Sequence, residues 1–339
     1  MSVVRLVKID MHNFAGLQDT EGSKTVGMFA PFTVLYGFNG SGKTSTIRAL
    51  AFVLGDTSGS KTIETGRVAV TVTKDRKEKV FERCKEGTED KYSIDSVVVT
   101  EKVYMTELES TGFTLEMRKH MIFVNGSYAE IALRPEAEIA ELLEEQVDSL
   151  DIKKQYKSLM RKVKAATKEC DSEGSESKDA QKLESLEKEL QEVKQQRRDE
   201  FNKLLDPLST QLDKIYKSLY DSETVSMRLV PITEDEPYLG LKISCLPLHH
   251  GTVLIDIEEL STGEQKVASV AFLLAFNLVK KSPLVVFDEF DKAFYRDTSL
   301  KVGAALKDLA SEMQIVVVCN DKFMRRSADS KIQIKLEDE

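Results

Sequence analysis

Residues 37–44 read GFNGSGKT and fit the phosphate-loop spacing G-x-x-x-x-G-K-[ST] in full. Gly37, Gly40 and Gly42 permit the tight curl that aims successive N–H groups at phosphate oxygens. Lys43 supplies a point charge for the β and γ phosphates, and the hydroxyl of Thr44 suits Mg2+, which prefers oxygen ligands. With Asn39, Ser41 and Ser45 the stretch forms a candidate site for ATP and Mg2+. LVVFDE (284–289) is an apolar run ending in two acids. Asp288, at the carboxyl end of such a strand, can reach Mg2+ through its water shell. Glu289 can orient an attacking water or take its proton, which makes it the candidate catalytic residue. ELSTGEQ (259–265) opens a helical stretch ahead of that strand. Its Ser-x-Gly turn offers the Ser261 hydroxyl and free N–H groups to an anion. Ser261 and Glu264 also fit the S-x-x-E capping box, and the two roles are compatible.

Positioning these groups requires a short apolar strand at 32–36 before the loop and a helix from about Gly42 to Leu54 after it. Another strand is expected near 3–12. β-Branched runs between Arg67 and Val99 predict a small antiparallel sheet, and 120–124 a buried strand. Residues 136–168 and 180–221 read as charged helices. Leu183, Leu186, Leu190 and Val193 form an a/d seam, and Phe201, Leu204, Leu208, Leu212, Ile215 and Leu219 continue a helical face past Arg197 and Glu200. The polar stretch 170–179 is expected to join the two as an antiparallel coiled-coil stub. Strands follow near 225–230, 239–246 and 252–257, then helix 262–280, strand 283–287, helix 298–311, strand 314–318, a short helix at 321–326 and a last strand from Lys331. Strands alternating with helices imply parallel pairing. The expected fold class is α/β, a mixed sheet with flanking helices plus the stub. An N-terminal lobe (1–138), the stub (139–221) and a C-terminal lobe (222–339) are expected, with both lobes forming one head.

The 339 residues carry a net charge of −9, which argues against a surface that coats nucleic acid throughout. Local cation clusters at 152–168 and 322–326 read first as solvated helix faces and second as nucleic-acid contacts. No apolar run reaches the length of a membrane span, and no secretory signal is visible. Cys84, Cys170, Cys245 and Cys319 are far apart and read as reduced thiols.

Phosphate loop, signature and acidic strand, in this order, resemble an ABC-type ATPase, a P-loop NTPase. With the helical stub between the halves, they resemble the head domain of the SMC (structural maintenance of chromosomes) family over nearly the whole chain. VKIDMHNF, ALAFVLGD (49–56) and FVNGSYAEIALRPEAEIAELLEE (123–145) are similar to the family's first strand, first helix and Q-loop region. DKIYKSLY (213–220) and EDEPYLGLKISC (234–245) are most similar to the first SMC subunit of cohesin. The resemblance implies an ATPase in which two heads sandwich ATP, with Ser261, Gly263 and Glu264 acting in trans on the partner's nucleotide. It implies a second SMC head as partner, a kleisin C-terminal winged-helix domain, DNA across engaged heads, and a nuclear, chromosome-associated location.

Several positions depart from the family pattern. The Q-loop glutamine, a Mg2+ and water ligand, aligns with the shorter Asn125, and Thr262 replaces the signature's first glycine. The D-loop aspartate falls near Tyr295 or is displaced to Asp297, and the switch position is Asn320, not histidine. Arg67 and Arg48 stand as candidates for the activating arginine. These departures bear on hydrolysis more than on binding. A short polar stretch around Gly174 replaces the long arm and hinge, as in two lobes fused through a linker. A zinc-hook DNA-repair ATPase and a nucleotide-gated binding module with little hydrolysis remain alternatives.

Overall fold

The computed structural model describes residues 4–14, 23–55, 65–114, 118, 120–147, 150–170, 177–248, 252–290, 294 and 296–335. The site rests on a five-stranded parallel sheet in the order β14-β3-β13-β12-β8: Ser330–Gln333, Phe32–Tyr36, Gln314–Val318, Leu284–Phe287 and Ile122–Phe123. β3 therefore lies between two strands from the far end of the chain, with Val34 opposite both Val317 and Lys331. β12 and β13 are buried at every residue. Such continuous apolar strands suit a parallel sheet covered on both faces. α1 (Lys43–Val53) packs on one side with the six-stranded antiparallel sheet β2-β1-β4-β5-β6-β7 (Ser23–Gly27, Val4–His12, Thr65–Lys74, Lys77–Glu86, Glu89–Ile94, Val97–Val99). α6 (Thr262–Val279) is buried on the other. Gln314 stitches sheets together: its side chain accepts from Leu6 N–H at 2.7 Å and donates to Leu6 O at 2.9 Å.

Three sequence expectations need correction, and two elements were not expected. Strands β9 (Ser226–Pro231), β10 (Leu241–Leu246) and β11 (Ile255–Asp256) form their own antiparallel sheet instead of joining a parallel one. The connection 232–240 holds only a single short turn of helix, too little for a parallel crossover. The expected helix 136–168 breaks into α3 (Glu136–Glu144) and α4 (Leu150–Cys170), with Lys280 Nζ closing the turn on Gln146 O at 2.8 Å. Strand 120–124 shortens to Ile122–Phe123, because Asn125 and Gly126 turn through positive φ. Strand β2 and helix α2 (Glu101–Ser110) were not foreseen; the latter's signal was Thr100, whose side chain caps Val103 N–H.

α5 (Ser177–Tyr220) begins earlier than expected, and the rest of the linker, including Gly174, lies outside the described residues. Tyr156 of α4 meets Arg197 of α5, so the two helices run antiparallel from their junction. Arg197, which breaks the heptads, is buried at the hairpin's base. Its Nε donates to Glu144 Oε1 at 2.6 Å, and its guanidinium lies 4.7 Å from the ring of Tyr156 and 3.8 Å from that of Tyr238. Lys153 Nζ binds the other Glu144 oxygen at 2.9 Å. Burial pushes the Glu144 carboxyl up, but its bonds to Arg197 and Lys153 outweigh this and hold it below the ordinary range.

Removing one member of this buried set strands the others. Glu144→Gln should cost about 3–5 kcal/mol in urea unfolding at neutral pH. A depressed carboxyl contributes stability above its unfolded pKa of about 4.3 and loses it as pH falls below that value. The gap between wild type and variant should therefore shrink on acidification.

Candidate functional site

The phosphate loop leaves β3 at Gly37 and enters α1 through Gly42, whose φ of 92° suits a residue without a side chain. Gly37 is fixed by space: an added Cβ would lie 2.2 Å from Ile334 O and 2.8 Å from Ser41 Oγ. Its N–H donates to Asn320 Oδ1 at 3.0 Å, which ties the loop to the end of β13. Gly40 faces open space at φ +84°. Lys43 Nζ folds back on Gly37 O (2.7 Å) and Phe38 O (2.8 Å).

Asn39, Gly40, Gly42, Lys43, Thr44 and Ser45 line a cavity of about 410 Å3, together with Asp288, Glu289, Val318, Cys319 and Asn320. Gly37 and Ser41 form the loop's inner side, with Ser41 buried. Asp288 is buried at the end of β12, where Oδ2 accepts from Asn125 N–H (3.2 Å) and Oδ1 from Glu289 N–H (2.9 Å). Both carboxylate oxygens are thereby oriented before any cation arrives. Glu289 holds a left-handed backbone, φ 56°, a conformation that costs a non-glycine residue about 1–3 kcal/mol and tends to persist at functional sites. Thr44 and Asp288 share the cavity wall and present oxygens, the donor set Mg2+ favours.

Other expected site residues lie apart. Asn125 reaches Asp288 through its backbone, and its side chain does not line the cavity. Ser261, Gly263 and Glu264 are also off the cavity. They start α6, and the capping box is formed: Ser261 Oγ accepts from Glu264 N–H, and Ser261 N–H donates to Glu264 Oε2, which also accepts from Ser261 Oγ–H. Ser261 is exposed, and a Cβ on Gly263 would meet nothing within 4 Å. Arg67 is paired with Glu82, and Arg48 is exposed on α1; neither lines the cavity. Asp297 sits in the first turn of α7 (Arg296–Leu309), while Tyr295 lies outside the described residues. Sequence reasoning missed the Asn320–Gly37 bond, for which a lone asparagine after a strand gives no distinctive signal.

A phosphate loop and an acid-tipped strand meeting on a parallel sheet, with a remote Ser-x-Gly helix start and a helical hairpin, define the class of ABC-type ATPase heads. The model of the RecF/RecN/SMC N-terminal domain matches residues 5–339, and the chain belongs to that family as an SMC head. It is 30% identical over 148 residues to structural maintenance of chromosomes protein 1B of Mus musculus, covering 43% of this chain and 12% of that protein. It is 30% identical over 174 residues to structural maintenance of chromosomes protein 1 of Caenorhabditis elegans, covering 50% and 14%. This chain thus spans only a small part of those relatives. A solved Smc head with an extended coiled coil from Pyrococcus furiosus, bound to the C-terminal domain of ScpA, shares the fold. That match has a TM-score of 0.74 and 20% identity and covers 100% of this chain and 94% of the other. Among the described residues no helix is long and apolar enough to cross a membrane.

The two loop glycines should separate cleanly. Gly37→Ala forces a backbone carbonyl aside and should lose ATP binding and several kcal/mol of stability. Gly40→Ala has room and should cost about 1 kcal/mol, the backbone penalty alone. Denaturant unfolding and nucleotide titration of both variants check the order.

Proposed function

We propose that this chain is the ATP-binding and ATP-hydrolysing head of an SMC chromosome-organising complex, cohesin-like, in which ATP held between two heads gates their engagement. One observation carries the reading: the cavity gathers the phosphate loop and Asp288–Glu289, while Ser261 stands exposed and off it. The anion-binding turn is thus free to face another molecule. Lys43 would exchange the carbonyls of Gly37 and Phe38 for phosphate oxygens, and loop N–H groups would hold the β phosphate. Thr44 and Asp288 would hold Mg2+, which when bound neutralises phosphate charge. Glu289 would orient the attacking water and accept its proton. Ser261 and the Gly263 backbone would cap the partner's γ-phosphate, so that a lone head is slow.

Further parts of the reading come from relatives. A kleisin winged-helix domain is proposed as partner, since solved Smc heads were found with the C-terminal domain of ScpA. The edge strands of the C-terminal lobe are its proposed seat. Sister chromatid cohesion or DNA loop organisation on nuclear chromosomes follows from the likeness to SMC protein 1. A nucleotide-gated module with little turnover is the second reading, favoured by the absence of the Asn125 side chain from the cavity wall.

Glu289→Gln should keep ATP affinity within a few-fold and lower turnover by about 10²-fold or more, in line with loss of a general base. Phosphate release and nucleotide titration measure the two. Unchanged turnover in the variant would remove Glu289 from the chemistry, and no turnover in either protein would favour the second reading.

A further inference from the structure

Paired registers between β3 and β13 end at Leu35–Val318, and the last ladder bond runs from Cys319 N–H to Leu35 O at 3.0 Å. The next donor of the chain on that side of β3 is Gly37 N–H. It is met by a side chain, Asn320 Oδ1, at 3.0 Å. Asn320 thus carries the ladder past the end of β13, onto the first residue of the phosphate loop. Gly37 is buried, and a buried N–H without a partner is costly. Asn320 itself is exposed and lines the nucleotide cavity. Its amide supplies an acceptor without a negative charge, which suits a wall that faces phosphate. On the other side β14 closes in: Ile334 N–H donates to Tyr36 O at 2.7 Å, and Ile334 O leaves no room for a Cβ on Gly37.

We propose that Asn320 is a positioning residue for nucleotide binding: its amide oxygen fixes the start of the phosphate loop, and through the loop it serves the phosphates that ADP and ATP share. This rests on the reading of the cavity as an ATP site. Gly37 is held at two atoms, its N–H by Asn320 and its carbonyl oxygen by Lys43 Nζ at 2.7 Å. In that reading Lys43 leaves for phosphate when nucleotide enters, which releases the carbonyl. The Asn320 bond needs no such exchange. An amide oxygen and a phosphate oxygen both accept, so neither draws the other away from its donor. The loop stays anchored to the end of β13 while its lysine moves. An anchored loop offers its N–H groups without first being ordered, and that preorganisation is expressed as affinity. A residue acting through the loop cannot tell two phosphates from three, whereas one that touched the γ-phosphate would.

The test titrates Mg-ADP and Mg-ATP into the whole chain as wild type, Asn320→Ala and Asn320→Asp, with hydrogen exchange of the segment 36–42 measured without nucleotide. Asn320→Ala removes the acceptor from one hydrogen bond to a buried donor. It should weaken ADP and ATP by the same factor, about five- to tenfold, and speed exchange of the segment. Asn320→Asp keeps an acceptor and should restore wild-type exchange, although its charge beside the phosphates still weakens both nucleotides. A loss confined to ATP would place Asn320 on the γ-phosphate and overturn the proposal. So would unchanged affinities in Asn320→Ala, or equally fast exchange in both variants. A wild type that binds neither nucleotide would remove the cavity reading and the proposal with it. Normal wild-type affinity beside any of the other contrary results removes the proposal alone.

Discussion

Strand β3 is hydrogen-bonded on one side by β13 and on the other by β14, both from the far end of the chain. Everything at the site follows from that insertion. The phosphate loop begins where β3 ends, and Asp288 ends the strand two places away in the same sheet. Neither half can form the cavity alone. The parallel arrangement also brings all strand carboxyl ends to one edge, where ligands of open α/β sheets bind. The bond from Gly37 N–H to Asn320 and that from Asn125 N–H to Asp288 then lock loops of one lobe onto strands of the other.

The cavity's charges are held in a resting arrangement. Lys43 is occupied by two loop carbonyls, and both Asp288 oxygens accept backbone N–H groups; off the cavity, Ser261 bonds its own helix's Glu264. In the proposed function, each of these contacts would hold a group in place until phosphate or cation took it over. Binding would then exchange existing hydrogen bonds for charge-assisted ones instead of ordering loose side chains, which would limit the entropic cost.

Much of the site was legible because its chemistry is local. Eight consecutive residues determine the phosphate loop, and an apolar strand ending in Asp288–Glu289 needs no tertiary knowledge. The elements around α1, β12 and β13 were readable from apolar periodicity. Long-range pairing was not. The separate sheet β9–β11 depends on a connection too short for a crossover, and the turn after Glu144 is closed by Lys280, 134 residues beyond Gln146. Arg197 looked like a heptad fault in sequence, yet it is the buried centre of the hairpin's base. Asn125 aligned as a metal ligand, whereas its backbone makes the observed contact.

The central claim is that the nucleotide site is completed by another head. ATP turnover by an equimolar mixture of Lys43→Ala and Ser261→Arg heads tests it most directly. Each variant alone lacks one half of every site, but the mixed pair contains one intact loop facing one intact signature. The account predicts little turnover by either variant and recovery on mixing. A mixture no more active than its parts, under conditions where the wild-type head turns over, would contradict it.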